Sequence, residues 1–267
     1  MGHSLKGRYF YRCYSSASAG ALRCGKYDDA PNKLSHHELL HEFANHRIRT
    51  KKVPTALVSV TVRPLEALQR ALAKFYTPQE YAEGPKEIWI AILFVPDDAK
   101  IKPHRACELA QQSTGSKNTD VFKYEYLFER EIPKAYVKHN VSLEKLLEGG
   151  LSVKSFLDAD KNFPSTLRSL QRLVMRELLD GDAYGVGRWL GGIARAFGIG
   201  APFYEIAHNI LSDCLKRFSC IDEDHQYGYF HWVDDYGNVE LCGGIEFASI
   251  CDIEDGIKDE FDSWLGL

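Results

Sequence analysis

The stretch TALVSVT, from Thr55 to Thr61, decides the fold of the first half of this 267-residue chain. Its apolar and β-branched residues predict a β-strand. Pro64 suits the first turn of a following helix, whose apolar face would carry Leu65, Leu68, Leu72 and Phe75. A strand followed directly by an amphipathic helix indicates an α+β domain with a hydrophobic core of its own.

Three further stretches predict strands around this one. They are YFYRCY from Tyr9 to Tyr14, EIWIAILFV from Glu87 to Val95, and VFKYEYLFE from Val121 to Glu129. The second is almost continuously apolar, which predicts a central strand covered on both faces. We expect the third to be the last important strand, and a helix from about His36 to His46 with Ser35 as its N-cap.

The second half of the chain changes character. VSLEKLLEGG, from Val141 to Gly150, predicts a short helix that ends in glycine, so we place the domain boundary there. The sequence thus predicts an α+β domain over residues 1–150 and a helix-rich accessory region over residues 151–267. Helical patterns follow at Pro164–Leu179, Tyr184–Phe197, Pro202–Phe218 and Ile253–Trp264, and aromatic alternation over Tyr227–Leu241 predicts a β-hairpin.

Composition and charge disfavour several classes of protein. The formal net charge of -4 gives no general field for collecting nucleic acid or anionic membranes. Seven cysteines, odd in number and never spaced C-x-x-C, argue against a disulfide framework and a cysteine-rich zinc site. The opening residues lack the apolar core of a signal peptide, and no stretch is apolar for long enough to span a bilayer. We therefore expect a cytoplasmic protein that binds neither nucleic acid nor membrane.

The order of the predicted elements resembles an uncharacterised family of fungal domains that look like ADP-ribosyltransferases. The resemblance rests on the early strand with its arginine, on the segment from Phe43 to Phe75 that contains TALVSVT, and on EIWIAILFV. It covers roughly the first half of the chain. It implies an ADP-ribosyltransferase-like fold and an NAD-consuming activity, either an ADP-ribosyltransferase or an NAD glycohydrolase, which cleaves the bond between nicotinamide and ribose.

The resemblance also implies roles for individual residues. In transferases of the arginine-serine-glutamate class, the arginine of the first strand binds NAD; here that is Arg12, with Arg8 as its nearest rival. The serine-containing strand lines the nicotinamide pocket, which assigns this role to Ser59 with Thr61 behind it. His46, just before that strand, would face the same cleft and contact NAD there. The catalytic glutamate would be Glu125, with Glu129 as the alternative.

These residue types suit the implied chemistry. A guanidinium forms two parallel charge-assisted hydrogen bonds with a pyrophosphate, and a carboxylate stabilises the oxocarbenium character that develops at the ribose. Lys123 departs from the arginine-modifying pattern, which has a second acidic residue two positions before the glutamate. Arginine modification is therefore disfavoured, and NAD hydrolysis, another protein or small-molecule acceptor, and a non-enzymatic binding protein on the same fold stay open.

A competing metal motif lies in the predicted helix before TALVSVT. His37, Glu38 and His41 form HELLH, which matches the H-E-x-x-H pattern of zinc hydrolases, with Glu38 as general base. Little sequence precedes the motif, and His46 falls one residue short of the third ligand in the longer form of this pattern. Zinc hydrolysis is therefore the third hypothesis, and the leading one involves no metal.

The helical half offers no catalytic signature. Gly185, Gly187, Gly191 and Gly192 flank Trp189 and indicate close packing of helices. We expect this region to contribute a binding surface for a protein partner.

Overall fold

The computed structural model describes residues 6–18, 20–26, 33–48, 54–76, 82–114, 119–157, 166–167, 169–170, 178, 180, 182–215, 218–221, 227–233 and 239–267. The chain forms two compact units, Met1–Leu143 and Glu144–Leu267. Within the described residues, none of the helices combines the length and the apolar character that crossing a membrane requires.

The first unit is built on a mixed α/β architecture, whose described strands form a six-stranded antiparallel sheet. The strands are β1 (Gly7–Ser15), β2 (Leu57–Thr61), β3 (Ile88–Pro96), β4 (His104–Arg105), β5 (Glu125–Glu129) and β6 (Val137–Ser142). Their order in the sheet is β4-β5-β2-β1-β3-β6, so TALVSVT provides an interior strand between β5 and β1.

Three helices of this unit follow the same chain order: α1 (His36–His46), α2 (Pro64–Phe75) and α3 (Ala106–Thr114). Leu57 of β2 and Leu127 of β5 join α1 and α3 in one buried cluster. Thr61 donates a hydrogen bond to Glu66 of α2, which places α2 against the same face of the sheet. On the opposite face, Val58 and Val60 pack with Phe10 of β1 in a second cluster.

The expectation that β5 is the last strand is wrong, because β6 follows it and pairs with β3 at the edge of the sheet. Val141 and Ser142, which we assigned to a helix, end this strand, and the helix α4 (Leu143–Glu148) begins only after them. The short sequence VKHNVS does not predict a strand by itself; it forms one because its backbone pairs with β3. Residues 121–124, expected to open β5, form the end of a 3-10 helix and a turn in front of it.

The second unit contains α5 (Ala183–Ala196), α6 (Phe203–Leu215) and α7 (Phe247–Leu265), together with β7 (Phe218–Ile221), β8 (Tyr227–Val233) and β9 (Val239–Glu246). The strands form an antiparallel sheet in the order β7-β8-β9, so the expected hairpin has a third strand at its side. Most of the helix expected at 164–179 and the turn of the hairpin lie outside the described residues. Phe218 begins β7 instead of ending a helix.

Helices α5 and α7 pack with their backbones close together. A Cβ placed on Gly256 would lie 2.2 Å from the carbonyl oxygen of Tyr184, and one on Gly187 would lie 2.2 Å from that of Ile253. Both distances are far below a van der Waals contact. Glycine at these two positions is therefore what permits this crossing.

Candidate functional site

Ser59 and Glu125 lie on the helix-covered face of the sheet. Strands β2 and β5 pair antiparallel, with Thr61 opposite Glu125 and Ser59 opposite Leu127. Side chains alternate between the two faces of a strand, so Ser59 and Glu125 share the face that carries Leu57 and Leu127. The Ser59 side chain acts on the Glu125 carboxylate and helps to lower its pKa. The pairing of β2 with β5 therefore brings these two residues together.

His46 reaches the same carboxylate from the last turn of α1. Its Nε2 lies 3.7 Å from Oε1 of Glu125, and its Nδ1 lies 3.0 Å from Oγ1 of Thr55. The side chains of His46 and Glu125 keep 24% and 22% of their surface exposed. The group formed by His46, Ser59 and Glu125, which we call the Glu125 cluster, is thus partly open to solvent.

The environment of Glu125 keeps its carboxyl group ionised. Burial alone would raise its pKa, because it disfavours the charged form. The side chains of His46 and Ser59, and the positive charges of His46 and Arg70, act in the opposite direction, and the net result is a pKa below the ordinary value of 4.5. At neutral pH this position therefore presents a negative charge.

Thr61 connects the cluster to α2. Its hydroxyl donates to Oε2 of Glu66 at 2.8 Å and accepts from the backbone N–H of Arg63 at 3.2 Å. Glu66 in turn accepts a 2.6 Å hydrogen bond from Arg70. The Thr61 hydroxyl thus holds the start of α2 in place beside Glu125.

Arg12 does not join the Glu125 cluster. It lies two residues after Phe10 on β1, on the opposite face of the sheet. Its guanidinium donates to three backbone carbonyls, those of Ala21 at 2.5 Å, Ser59 at 2.6 Å and Gly20 at 2.8 Å. Burial lowers the pKa of Arg12 to about 10, so it keeps its charge at neutral pH. These contacts tie the loop after β1 to β2.

The two alternatives named from the sequence also have partners of their own. Glu129 accepts from the backbone N–H of Leu34 at 2.5 Å, and its Oε1 lies 2.8 Å from Nε2 of His104. Arg8 donates to the hydroxyl of Tyr126 at 2.5 Å. Glu129 therefore links three segments of the chain, and Arg8, like Arg12, lies away from Glu125.

The HELLH residues line a separate cavity of about 310 Å³, which His37, Glu38 and His41 share with the ion pair of Lys26 and Glu42. Glu38 serves as a helix cap: its carboxylate accepts from the N–H of Ser35 at 2.8 Å, and its own N–H donates to the Ser35 hydroxyl at 3.3 Å. This capping box lowers the pKa of Glu38. In the part of the chain that the structure describes, no three His, Cys, Asp or Glu side chains are placed to hold a metal ion.

The sequence did not predict three residues that surround the Glu125 cluster, namely Thr55, Glu66 and Arg70. Glu66 and Arg70 carry an ordinary signal, the i,i+4 spacing of an ion pair on a helix, but that spacing gives no hint of a neighbouring carboxylate. Thr55 carries none, because its contact with His46 arises only when α1 docks beside β2.

Comparison with known proteins places the first unit in a family. A family model described as Domain of unknown function (DUF7587) matches residues 6–146, more than half of the chain, so the chain belongs to this family. Neither the curated proteins nor the solved structures contain a match to it.

Proposed function

We propose that this member of the DUF7587 family cleaves the bond between nicotinamide and ribose in NAD, as an ADP-ribosyltransferase or an NAD glycohydrolase on an ADP-ribosyltransferase-like fold. The observation that carries the proposal is the convergence of Ser59, His46 and Glu125 on the helix-covered face of two paired strands. The resemblance of the sequence to ADP-ribosyltransferase-like domains supplies the substrate.

The ionised carboxylate suits the chemistry of this bond. When the bond from the ribose C1′ to nicotinamide breaks, its electron pair leaves with the nicotinamide nitrogen, and positive charge develops on the ribose. A fixed negative charge beside that carbon stabilises the transition state more than the ground state. Glu125 supplies that charge, and its carboxylate can also accept a hydrogen bond from the ribose 2′-hydroxyl.

Ser59 and Thr61 would shape the pocket. Ser59 is small enough to let the nicotinamide ribose approach, and its side chain helps to keep the carboxylate of Glu125 ionised. Thr61 holds α2 beside the Glu125 cluster through its hydrogen bond to Glu66. Water at C1′ yields ADP-ribose, nicotinamide and a proton, whereas another nucleophile yields an ADP-ribosylated acceptor.

A non-enzymatic binding protein on the same fold is the second candidate, and the position of Arg12 favours it. The arginine that the resemblance assigns to NAD donates to three backbone carbonyls on the other face of the sheet. A domain in which this arginine stabilises the fold would keep the fold but lack the arrangement of residues that binds NAD.

One experiment separates the two candidates. The purified full-length protein is incubated with NAD, and nicotinamide and ADP-ribose are quantified by chromatography while NAD binding is measured by calorimetry. The enzymatic proposal predicts nicotinamide release that increases with protein concentration and is lost in Glu125→Gln. Binding without release supports the second candidate. If neither binding nor release is detected, NAD is rejected as a ligand for both candidates.

A further inference from the structure

The imidazole of His46 is held between two groups of the protein. Nδ1 lies 3.0 Å from the Thr55 hydroxyl, and Nε2 lies 3.7 Å from Glu125 Oε1. Thr55 is 8% exposed, so this hydrogen bond is sheltered from water. With both ring nitrogens directed at protein groups, His46 is poorly arranged to bind NAD directly.

The contact between His46 and Glu125 depends on charge. At 3.7 Å it is too long for a hydrogen bond but short enough for an ion pair. His46 lies in the last turn of α1, where the backbone carbonyls of a helix favour a positive side chain. The Thr55 hydroxyl fixes the plane of the His46 ring. This contact joins the end of α1 to the residues before β2.

The groups that face Glu125 come from three elements. They are His46 from α1, the Ser59 hydroxyl from β2 and Arg70 from α2. The guanidinium of Arg70 is paired with Glu66, which offsets its charge. Among the described residues, the ion pair of His46 is with Glu125. His46 is therefore the group whose ring nitrogen lies within ion-pair distance of this carboxylate.

We propose that His46 is a positioning residue, which keeps the Glu125 carboxylate ionised and oriented and does not itself bind NAD. The proposal rests on the NAD-cleaving function, and it assigns to His46 an action through Glu125. Its consequence is that loss of His46 converts Glu125 into a carboxyl group that burial tends to protonate. The acid limb of the activity then moves to higher pH.

The first test does not depend on activity. The carboxyl carbons of ¹³C-labelled glutamate are titrated by NMR in the full-length protein, and the signal that disappears in Glu125→Gln is assigned to Glu125. In His46→Gln we expect the pKa of Glu125 to rise above its wild-type value. His139→Gln, on strand β6 at the far edge of the sheet, is the matched control and should leave it unchanged. An unchanged pKa in His46→Gln overturns the proposal.

The second test is the pH profile of nicotinamide release. His46→Gln should move the acid limb of kcat to higher pH while the KM for NAD stays within about twofold, since uniform substrate binding is untouched. A raised KM with an unmoved acid limb would mean that His46 binds NAD, which contradicts the proposal. If His46→Gln does not fold, Thr55→Val releases the ring and should change the profile in the same direction.

The two tests distinguish two kinds of failure. If the wild-type protein releases no nicotinamide in any buffer, the NAD-cleaving function fails, and the carboxyl titration still decides whether His46 controls Glu125. If release occurs but neither the titration nor the acid limb responds to His46→Gln, the function stands and the role given to His46 is wrong.

Discussion

At the scale of single residues, Arg12 shows how a residue type suited to binding a substrate can serve the fold. Its guanidinium holds the carbonyls of Gly20, Ala21 and Ser59, all from the protein backbone. A guanidinium offers five donors in a rigid fork, and backbone carbonyls can accept from such a fork, as phosphate oxygens can. The residue type at this position therefore could not distinguish the two roles in advance.

Replacing Arg12 with methionine should destabilise the protein by about 1–3 kcal/mol, because carbonyls that are partly buried would lose their donors. Urea unfolding monitored by circular dichroism measures the change. Arg23→Met is the control: the Arg23 side chain is 77% exposed and pairs with Glu131 at the surface, so its loss should cost less than about 0.5 kcal/mol. Equal midpoints for Arg12→Met and the wild type would show that the carbonyl contacts do not matter.

Glu125 is a single residue that should make the stability of the protein depend on pH. Its pKa in the folded protein lies below the ordinary value of 4.5, so the ionised carboxylate stabilises the folded state. This contribution is complete well above pH 4.5 and is lost as the pH falls through the folded pKa. The stability advantage of the wild type over Glu125→Gln should therefore be constant near neutral pH and shrink below about pH 4.5.

Urea unfolding of both proteins across this pH range measures that advantage. A difference that widens as the pH falls would mean that the folded state favours the protonated carboxyl group. Burial would then dominate over His46 and Ser59, which is the opposite of the environment described for this cluster.

At the scale of elements, the crossing of α5 and α7 depends on two glycines. Gly256→Ala would put a methyl group 2.2 Å from the Tyr184 carbonyl oxygen, so the helices must move apart, at a cost of about 1–3 kcal/mol. Gly192→Ala is the matched control, since a methyl group on this α5 glycine meets nothing within 4 Å. It should stabilise the protein by about 0.5–1 kcal/mol through helix propensity.

Thermal unfolding followed at a helix-sensitive wavelength compares the two variants with the wild type. A Gly256→Ala protein as stable as Gly192→Ala would contradict the close approach of α5 and α7.

The elements also show what the sequence could and could not predict. Alternation and apolar runs located β1, β2 and β3 and the helix that begins at Pro64, because each has a strong local pattern. β4 and β6 were missed, since two residues of β4 and the polar sequence of β6 become strands only through their neighbours. Helix α3, with its short polar sequence, was missed for the same reason.

At the scale of the whole molecule, the described strands and helices divide between two units, and the family model covers residues 6–146. The Glu125 cluster, the Arg12 contacts and the HELLH cavity all belong to the first unit. The order of the strands and the direction of their side chains explain which of the predicted site residues lie together. Ser59 and Glu125 meet because β2 and β5 are neighbouring strands. β1 also pairs with β2, but the Arg12 side chain lies on the other face of the sheet, because side chains alternate between the two faces along β1.

The central claim is that Glu125 carries the cleavage of NAD. The most direct test is the turnover number for nicotinamide release at saturating NAD, compared between the wild type, Glu125→Gln and Glu131→Gln, a surface control whose glutamate pairs with Arg23. We expect a loss of about 100-fold or more in Glu125→Gln, with the melting temperature showing a folded protein, and little change in Glu131→Gln. Undiminished release by a folded Glu125→Gln protein would contradict it, and most directly if Glu129→Gln abolished release instead.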